Sequence, residues 1–103
     1  MDINDVGHFS NPALLILVSL AGGEKHGYAM IEDIQVMTGV RLGPGTLYGA
    51  ISRLEQTGLI ESLPADERRR PYRLTLRGAV LLRQTLLDLE KFAGLGLKRL
   101  AMA

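Results

Sequence analysis

The sequence contains no cysteine and no tryptophan, and aromatic residues make up only 5% of its 103 positions. The absence of cysteine excludes disulfides and thiolate metal sites, and it fits an intracellular, cytoplasmic location. The two histidines, His8 and His26, are far apart and have no further ligand at metal-binding spacing. We therefore expect no metal and no cofactor, and a core built from aliphatic side chains.

The chain also lacks a long hydrophobic run and a basic amino terminus. Its longest apolar stretch, residues 13–21, is interrupted by Ser19 and is shorter than the roughly twenty residues that cross a bilayer. The amino terminus is acidic, which is not typical of a signal peptide. We therefore expect neither a membrane partner nor a secretion signal.

Charge of one sign is not in excess, since 12 basic and 11 acidic residues give a formal net charge of +1. The two signs are nevertheless separated along the chain. Acidic residues crowd the first third, whereas a later stretch contains Arg68, Arg69, Arg70, Arg73 and Arg77. A near-neutral total argues against indiscriminate nucleic-acid binding, but a local basic patch can still contact phosphates.

Hydrophobic periodicity and helix stop signals predict three helices followed by a hairpin. The first helix is expected at residues 12–20, with Asn11 as its cap. The second is expected at residues 27–38, capped by His26 and ended by Gly39. Its predicted buried face consists of Tyr28, Met30, Ile31 and Ile34.

The third predicted helix begins at Pro44, ends just before Gly58 and has two distinct faces. Leucine, isoleucine and alanine form one apolar stripe at helical spacing. The outer surface has no acidic residue, and its small or hydrogen-bonding residues suit contact with DNA: Gly45, Thr46, Tyr48, Gly49, Ser52 and Arg53. Together with the preceding helix and its short turn, this pattern indicates a helix-turn-helix whose second helix enters a DNA groove.

Two of these outward residues have alternative interpretations. Tyr48 could pack as a core aromatic near the helix start, or its hydroxyl could bind a backbone phosphate. Arg53 could pair with a nearby carboxylate such as Glu55 or Glu61, or it could reach a phosphate or a guanine edge.

Strands are expected at residues 59–63 and 70–74, forming a hairpin in which Pro71 faces the open side. Arg68, Arg69 and Arg70 lie near its tip, where they could contact phosphates or a minor groove or could form a solvated loop. Arg73 is a further DNA-contact candidate, although it could pair with Glu61 across the hairpin instead.

The last segment is predicted to be helical from the Thr75 cap to about Leu100. Its apolar arc is too wide to be covered by one small domain, which predicts a homodimer interface. The residues assigned to that interface are Leu82, Leu86, Leu89, Phe92, Ala93, Leu97 and Leu100. The predicted organisation is thus a DNA-binding domain at residues 1–75 and a dimerisation helix at 76–103.

Several short segments in this order resemble the PadR family of bacterial transcriptional regulators, and more closely its small subfamily with a single C-terminal helix. The matching segments are residues 13–20, His26-Gly27-Tyr28, Pro44-Gly45-Thr46-Leu47-Tyr48, Arg53-Leu54-Glu55, Gly58-Leu59-Ile60, Arg69-Arg70, Tyr72-Arg73-Leu74-Thr75 and Gly78. The resemblance implies a mainly α fold with a small β-hairpin, a winged helix-turn-helix carrying a long C-terminal dimerisation helix. It also implies repression by occupying a promoter.

The chain departs from that family at three points. The wing tip includes Asp66 and Glu67, which would oppose a phosphate that they faced. Pro71 stands where members commonly have a basic or aromatic residue. Some small members use tryptophan to build an aromatic drug site at the dimer interface, and this chain has none.

The leading hypothesis is a homodimeric, sequence-specific repressor that binds a partly palindromic operator. A small-molecule effector could bind at the dimer interface, lined by Phe92, Leu86, Leu89 and residues 13–20. The alternative is a winged-helix module that binds protein without DNA. An enzyme is not expected, because the sequence has no nucleophile–base pair, metal cluster or phosphate-cradling loop.

Overall fold

The computed structural model describes residues 11–66 and 68–103. Residues 1–10, expected to be polar and loose, and Glu67 lie outside the described residues. The described chain forms α1 Pro12–Ala21, β1 Lys25–His26, α2 Gly27–Thr38, α3 Pro44–Gln56, β2 Ile60–Ser62, β3 Pro71–Leu74 and α4 Leu76–Met102. This mainly helical architecture with a small sheet confirms the predicted fold class. No described helix has the length and apolar character needed to cross a membrane.

Helix α1 lies at the centre of the core because it is apolar on most sides. Asn11 caps it, with Oδ1 accepting the Ala13 N–H at 3.0 Å, and Pro12 occupies the first helical position. The helix contacts α2, α3, α4 and β3. Its buried apolar side chains are Leu15, Ile16, Leu17 and Leu20.

One polar network crosses this core and ties β1 to the helices. The Ser19 hydroxyl, which is buried, donates to Asp33 Oδ2 at 2.6 Å. The Lys25 ammonium donates to the Ser19 carbonyl at 2.6 Å and lies 3.9 Å from Asp33 Oδ2. The network therefore joins the first helix, the second helix and the first strand of the sheet.

Helices α2 and α3 form the predicted helix-turn-helix. The His26 Nδ1 caps α2 by accepting the Ala29 N–H at 3.3 Å, and Gly39 ends the helix at a left-handed φ of 77°. Met30 and its neighbours are buried as predicted, but Tyr28 is 57% exposed, so that part of the prediction was wrong. Tyr28 stands in the first turn of α2, away from the core. It lies beside the turn between β2 and β3 that carries Arg68, Arg69 and Arg70, called the basic turn below.

The sheet has the strand order β1-β3-β2, with all pairs antiparallel. The sequence predicted only the hairpin of β2 and β3, because β1 is two residues long and was interpreted as a linker. Pro71 pairs with His26 of β1, so the side of the hairpin expected to be open is covered. The Pro71 carbonyl accepts the Leu63 N–H at 2.8 Å, and its missing N–H falls at the first position of a strand, where proline is tolerated.

Helix α4 begins at its predicted cap, where Thr75 Oγ1 accepts the Gly78 N–H at 3.0 Å. Gly78 lies against the backbone of Leu59, where a Cβ would overlap the carbonyl oxygen. The helix continues without a break through Met102, so Gly94 and Gly96 do not end it. Its 27 residues correspond to about 40 Å, which carries its second half beyond the core.

Candidate nucleic-acid interface

Helix α3 presents the outward face that the sequence predicted. Leu47, Ala50, Ile51 and Leu54 are buried, because they fall on one stripe at helical spacing. Of the opposite residues, Gly49 is half-buried and the following are exposed: Gly45, Thr46, Tyr48, Ser52 and Arg53. The helix has no acidic residue in its first turn and no side-chain cap at Gly43, which leaves its first N–H groups available to an acceptor.

The exposed face carries an arginine without a carboxylate partner among the described residues. Ion pairs in residues 11–66 and 68–103 join Lys25 to Asp33 and Arg73 to Glu61, and neither involves Arg53. The alternative of an Arg53 pair with Glu55 or Glu61 is therefore not realised here. The guanidinium lies beside Gly49, one turn earlier on the same helix.

The turn between β2 and β3 projects three consecutive arginines. Asp66 and Arg69 exchange two backbone hydrogen bonds of 2.8 Å, which closes the turn. Arg68 has a φ of 82°, a left-handed conformation that non-glycine residues adopt at a cost. Arg68, Arg69 and Arg70 are all exposed.

Arg73 lies on β3 and is held by a carboxylate. Its Nε donates to Glu61 Oε1 at 2.6 Å across the hairpin, in the register that pairs these two residues. The Glu61 pairing that the sequence left open is therefore formed. Both side chains remain about half exposed, but the charge of Arg73 is already neutralised locally.

Tyr48 lies where α3 meets the start of α2. Its ring packs over Gly27 so closely that a Cβ at position 27 would overlap the hydroxyl and two ring carbons. Tyr48 is nevertheless 49% exposed. The packing interpretation made from sequence therefore applies, and the contact between the Tyr48 hydroxyl and a backbone phosphate stays a prediction.

The basic turn, the start of α2 and Tyr48 surround one concavity of about 320 Å³. Arg68, Arg69 and Arg70 line it from the turn, and Tyr72 lines it from β3. Burial raises the pKa of the Tyr72 hydroxyl above its usual value, and the nearby Glu55 and Tyr48 add to the rise while Arg70 opposes it.

The candidate DNA-contact residues expected from sequence did not include Tyr28, His26 or Tyr72. Tyr28 was expected to be structural, with phosphate contact as the lesser alternative, His26 was expected to cap α2, and Tyr72 was not assigned a role. A helix start alone does not reveal that a turn forty residues later will fold against it. The available signal was the short His26-Gly27-Tyr28 segment, in which glycine allows another side chain to approach.

The residues assigned to a dimer interface fall into two groups. Leu82 is only 4% exposed and belongs to the core of its own chain, because the start of α4 packs against the helical domain. Leu89 is half-buried, and the others are exposed: Leu86, Phe92, Ala93, Leu97 and Leu100. The apolar stripe thus begins inside the domain and continues onto an uncovered helix.

Groups of histidine, cysteine and carboxylate side chains that could hold a metal do not occur among the described residues. The site is instead made of a helix face, an arginine-bearing turn and tyrosine hydroxyls. Such a combination can hydrogen-bond an anionic surface.

Comparison with known sequences identifies the family. The sequence pattern of the transcriptional regulator PadR-like family matches residues 16–84. The chain belongs to this family. Members are transcriptional regulators that bind DNA and not enzymes, so the chain is a PadR-like transcriptional regulator with a winged helix-turn-helix.

Two relatives and two solved structures are similar to this chain. The chain is 39% identical to the transcriptional regulator Rv3488 of Mycobacterium tuberculosis, covering 78% of this chain and 77% of the relative. It is 42% identical to an uncharacterised 37.1 kDa protein in transposon TN4556 of Streptomyces fradiae, over 79% of this chain. The chain spans only 24% of that relative's length.

A transcriptional regulator from Clostridium thermocellum has a TM-score of 0.73 and 31% identity, over 84% of this chain and 87% of that structure. A PadR family regulator from Clostridium difficile R20291 has a TM-score of 0.78 and 24% identity, over 86% and 97% respectively. The second likeness shows the fold alone.

Proposed function

We propose that this PadR-like protein is a homodimeric, sequence-specific repressor whose DNA affinity is set by a small-molecule effector. One observation carries the proposal: Tyr48, from the outward face of α3, and the three arginines of the basic turn line the same concave surface. A helix and a basic wing on one side of a domain can engage a groove and its flanking phosphates together. A DNA-binding role places the protein in the cytoplasm.

The two elements have different tasks in this proposal. Thr46, Ser52 and Arg53 project from α3 and can reach base edges in a major groove, which is wide enough for a helix. Gly45 and Gly49 let the helix backbone approach closely. Arg68, Arg69 and Arg70 neutralise phosphates or enter a narrow minor groove. Arg73 contributes less than the sequence suggested, because Glu61 holds it.

The uncovered stripe of α4 supports the homodimer. Leu97 is 69% exposed, Leu100 is 73% exposed and Phe92 is 73% exposed, which is unfavourable for large apolar side chains in water. Pairing with a second copy buries this stripe. A two-fold dimer presents two α3 helices about 34 Å apart, one turn of DNA, and therefore selects a partly palindromic operator.

An apolar groove between α1, α2 and α4 supports the effector. It has a volume of about 250 Å³ and is lined by Leu14, Leu15, Val18, Met37, Thr38, Leu86 and Leu89. Leu86, Leu89 and α1 were expected there, whereas Phe92 lines a separate groove with Leu95. A ligand that fits this groove in only one arrangement of the two subunits stabilises that arrangement. The affinity for DNA then changes, because the distance between the two α3 helices depends on the same arrangement.

Fluorescence anisotropy with the DNA upstream of the protein's own gene tests the proposal. Wild-type protein is expected to bind this DNA more tightly than an unrelated duplex, with affinity falling steeply as salt increases. Replacing Arg68, Arg69 and Arg70 together by alanine should reduce the slope of log K against log salt by about 1 for each lost phosphate contact.

A matched control removes three positive charges from exposed positions of α4, at Arg83, Lys91 and Lys98. This control should keep most of the affinity, because those residues lie away from the proposed DNA surface. Equal affinity of the wing variant and wild type would contradict the wing assignment. Absence of DNA binding by wild type would favour the protein-interaction module instead.

A further inference from the structure

Lys25 stands next to a residue of the concave surface, His26, but makes its own contacts inside the chain. Its ammonium donates to the Ser19 carbonyl at 2.6 Å and to the Gly23 carbonyl at 3.2 Å, and it lies 3.9 Å from Asp33 Oδ2. The side chain is 21% exposed and does not line the concavity. Its charge is thus directed at the protein rather than at a phosphate.

The partners of Lys25 are themselves connected. The Ser19 carbonyl lies near the end of α1, where it also accepts the Gly22 N–H at 3.2 Å. Helix α1 has no basic residue in its last turn, so Lys25 supplies the positive charge that favours this helix end. Asp33 on α2 accepts the hydroxyl hydrogen of Ser19, which is 1% exposed. We call Lys25, Ser19, Gly23 and Asp33 the Lys25 network.

The backbone of Lys25 belongs to β1, which pairs with the strand that leaves the basic turn. Lys25 pairs with Tyr72 and His26 pairs with Pro71, the first residue after that turn. Successive side chains of a strand point to opposite faces. Accordingly, His26 Nε2 lies 3.3 Å from the Arg69 guanidinium, whereas Lys25 contacts α1 and α2. Strand β1 therefore lies between the helices and the basic turn.

The wing, which consists of β2, the basic turn and β3, is fixed to α3 at one edge. The Leu59 N–H donates to the Leu54 carbonyl of α3 at 3.0 Å, just before β2 begins. The turn end of β3 is paired with β1, a strand of two residues that forms few ladder hydrogen bonds. The side-chain contacts of Lys25 hold this short strand on α1 and α2. They therefore restrict movement of the basic turn relative to the helices.

We propose that Lys25 is a positioning residue for DNA binding, which holds β1 and the paired wing at the distance from α3 that a DNA groove requires. The inference rests on the proposed function, since α3 and the basic turn must engage DNA together. Without the Lys25 network, the arginines of the turn remain but have to be ordered during binding, which costs affinity. Asp33 has the same role from α2.

The direction of the Asp33 effect separates this role from simple electrostatics. Asp33→Ala removes a negative charge, which by charge alone tightens binding to a polyanion. We expect the opposite: Asp33→Ala and Lys25→Met should each weaken binding to the DNA upstream of the gene by about tenfold in fluorescence anisotropy. Lys91→Met, which removes an exposed charge of α4, is the control and should stay close to wild type. Unchanged or tighter binding by Asp33→Ala overturns the proposal.

A double-mutant cycle tests whether Lys25 acts through the wing. Lys25→Met is added to the variant in which Arg68, Arg69 and Arg70 are alanine, and binding is measured at low salt, where weak affinities are detectable. The second change should cause little further loss, because the basic turn that Lys25 positions has no charge left to place. Losses that multiply would show that Lys25 acts elsewhere, for example on a phosphate of its own, and would overturn the proposal.

Hydrogen exchange tests the Lys25 network without DNA. In Lys25→Met, the backbone amides of residues 72–74 should exchange faster, while those on the buried faces of α2 and α3 keep their wild-type rates. Unchanged exchange in β3, or faster exchange throughout the domain, contradicts a positioning role. Absence of DNA binding by wild type would contradict the proposed function and remove the DNA role with it. The exchange rates would then still show whether Lys25 holds the wing.

Discussion

The substitution Gly27→Ala should separate DNA binding from folding. A Cβ at position 27 would occupy the space of the Tyr48 hydroxyl and the adjoining ring carbons. Because those atoms are the far end of a half-exposed side chain, Tyr48 can rotate away and no backbone has to move. The ring then leaves the wall of the concavity that the arginines of the basic turn also line.

The expected stability change is small because two contributions oppose each other. Forcing Tyr48 towards a less favourable rotamer costs on the order of 0.5–1.5 kcal/mol. Replacing glycine by alanine in a helix returns up to about 1 kcal/mol. The free energy of unfolding should therefore change by about 1 kcal/mol or less, which corresponds to a few degrees in Tm.

The expected effect on DNA binding is larger. A hydrogen bond to a charged group contributes about 1.5–3 kcal/mol, so displacing the Tyr48 hydroxyl should raise the Kd by about ten- to a hundredfold. Anisotropy titration with DNA, beside thermal unfolding of the same preparation, measures both quantities. Gly94→Ala in α4 is the control, since nothing lies within 4 Å of a Cβ there and the position is outside the proposed DNA surface. Wild-type affinity in Gly27→Ala would refute the reasoning.

Four further variants test other parts of the structure. Gly78→Ala should destabilise the fold by roughly 1–3 kcal/mol or more in chemical denaturation, because its Cβ meets the Leu59 backbone rather than a movable side chain. The raised pKa of the Tyr72 hydroxyl gives stability that is fully present below about pH 10 and is lost as the pH rises through the pKa in the folded protein. Tyr72→Phe should remove this loss, so the unfolding free energies of the two proteins should diverge in a base titration above about pH 10. Arg68→Gly should relieve the backbone strain of the left-handed conformation at position 68, which raises Tm slightly, and should lower DNA affinity because a positive charge is lost. A lower Tm would show that the position is not strained. Leu97→Glu with Leu100→Glu should convert a species of twice the 11.2 kDa chain mass into one of single mass in sedimentation equilibrium, and an unchanged mass would place the dimer interface elsewhere.

Local signals in the sequence were sufficient for the helices. Asn11, Pro44, Gly39 and Thr75 each mark a helix end, and each stands at an end in the structure. These signals work because capping depends on a few neighbouring backbone groups. The outward face of α3 was predictable for the same reason, since helical spacing alone separates buried from exposed positions.

Features that depend on distant pairing were harder to predict. Strand β1 has two residues, too few to show alternation, and its partner Tyr72 lies far along the chain. Leu82 belongs to the same heptad stripe as Leu86, and periodicity cannot tell where the domain stops covering that stripe. Tyr28 lies beside the basic turn because that turn folds against the start of α2. No local sequence pattern encodes this contact between distant segments.

Hydroxyl-radical footprinting of the protein on an operator fragment tests the central claim most directly. Two copies of α3 joined through α4 should protect two half-sites whose centres lie about 10–10.5 base pairs apart, on one face of the duplex. The phosphates beside each half-site should lose protection in the Arg69→Ala variant. A single protected patch, or a footprint that the arginine variant leaves unaltered, would contradict a dimer that inserts α3 and anchors it through the basic turn.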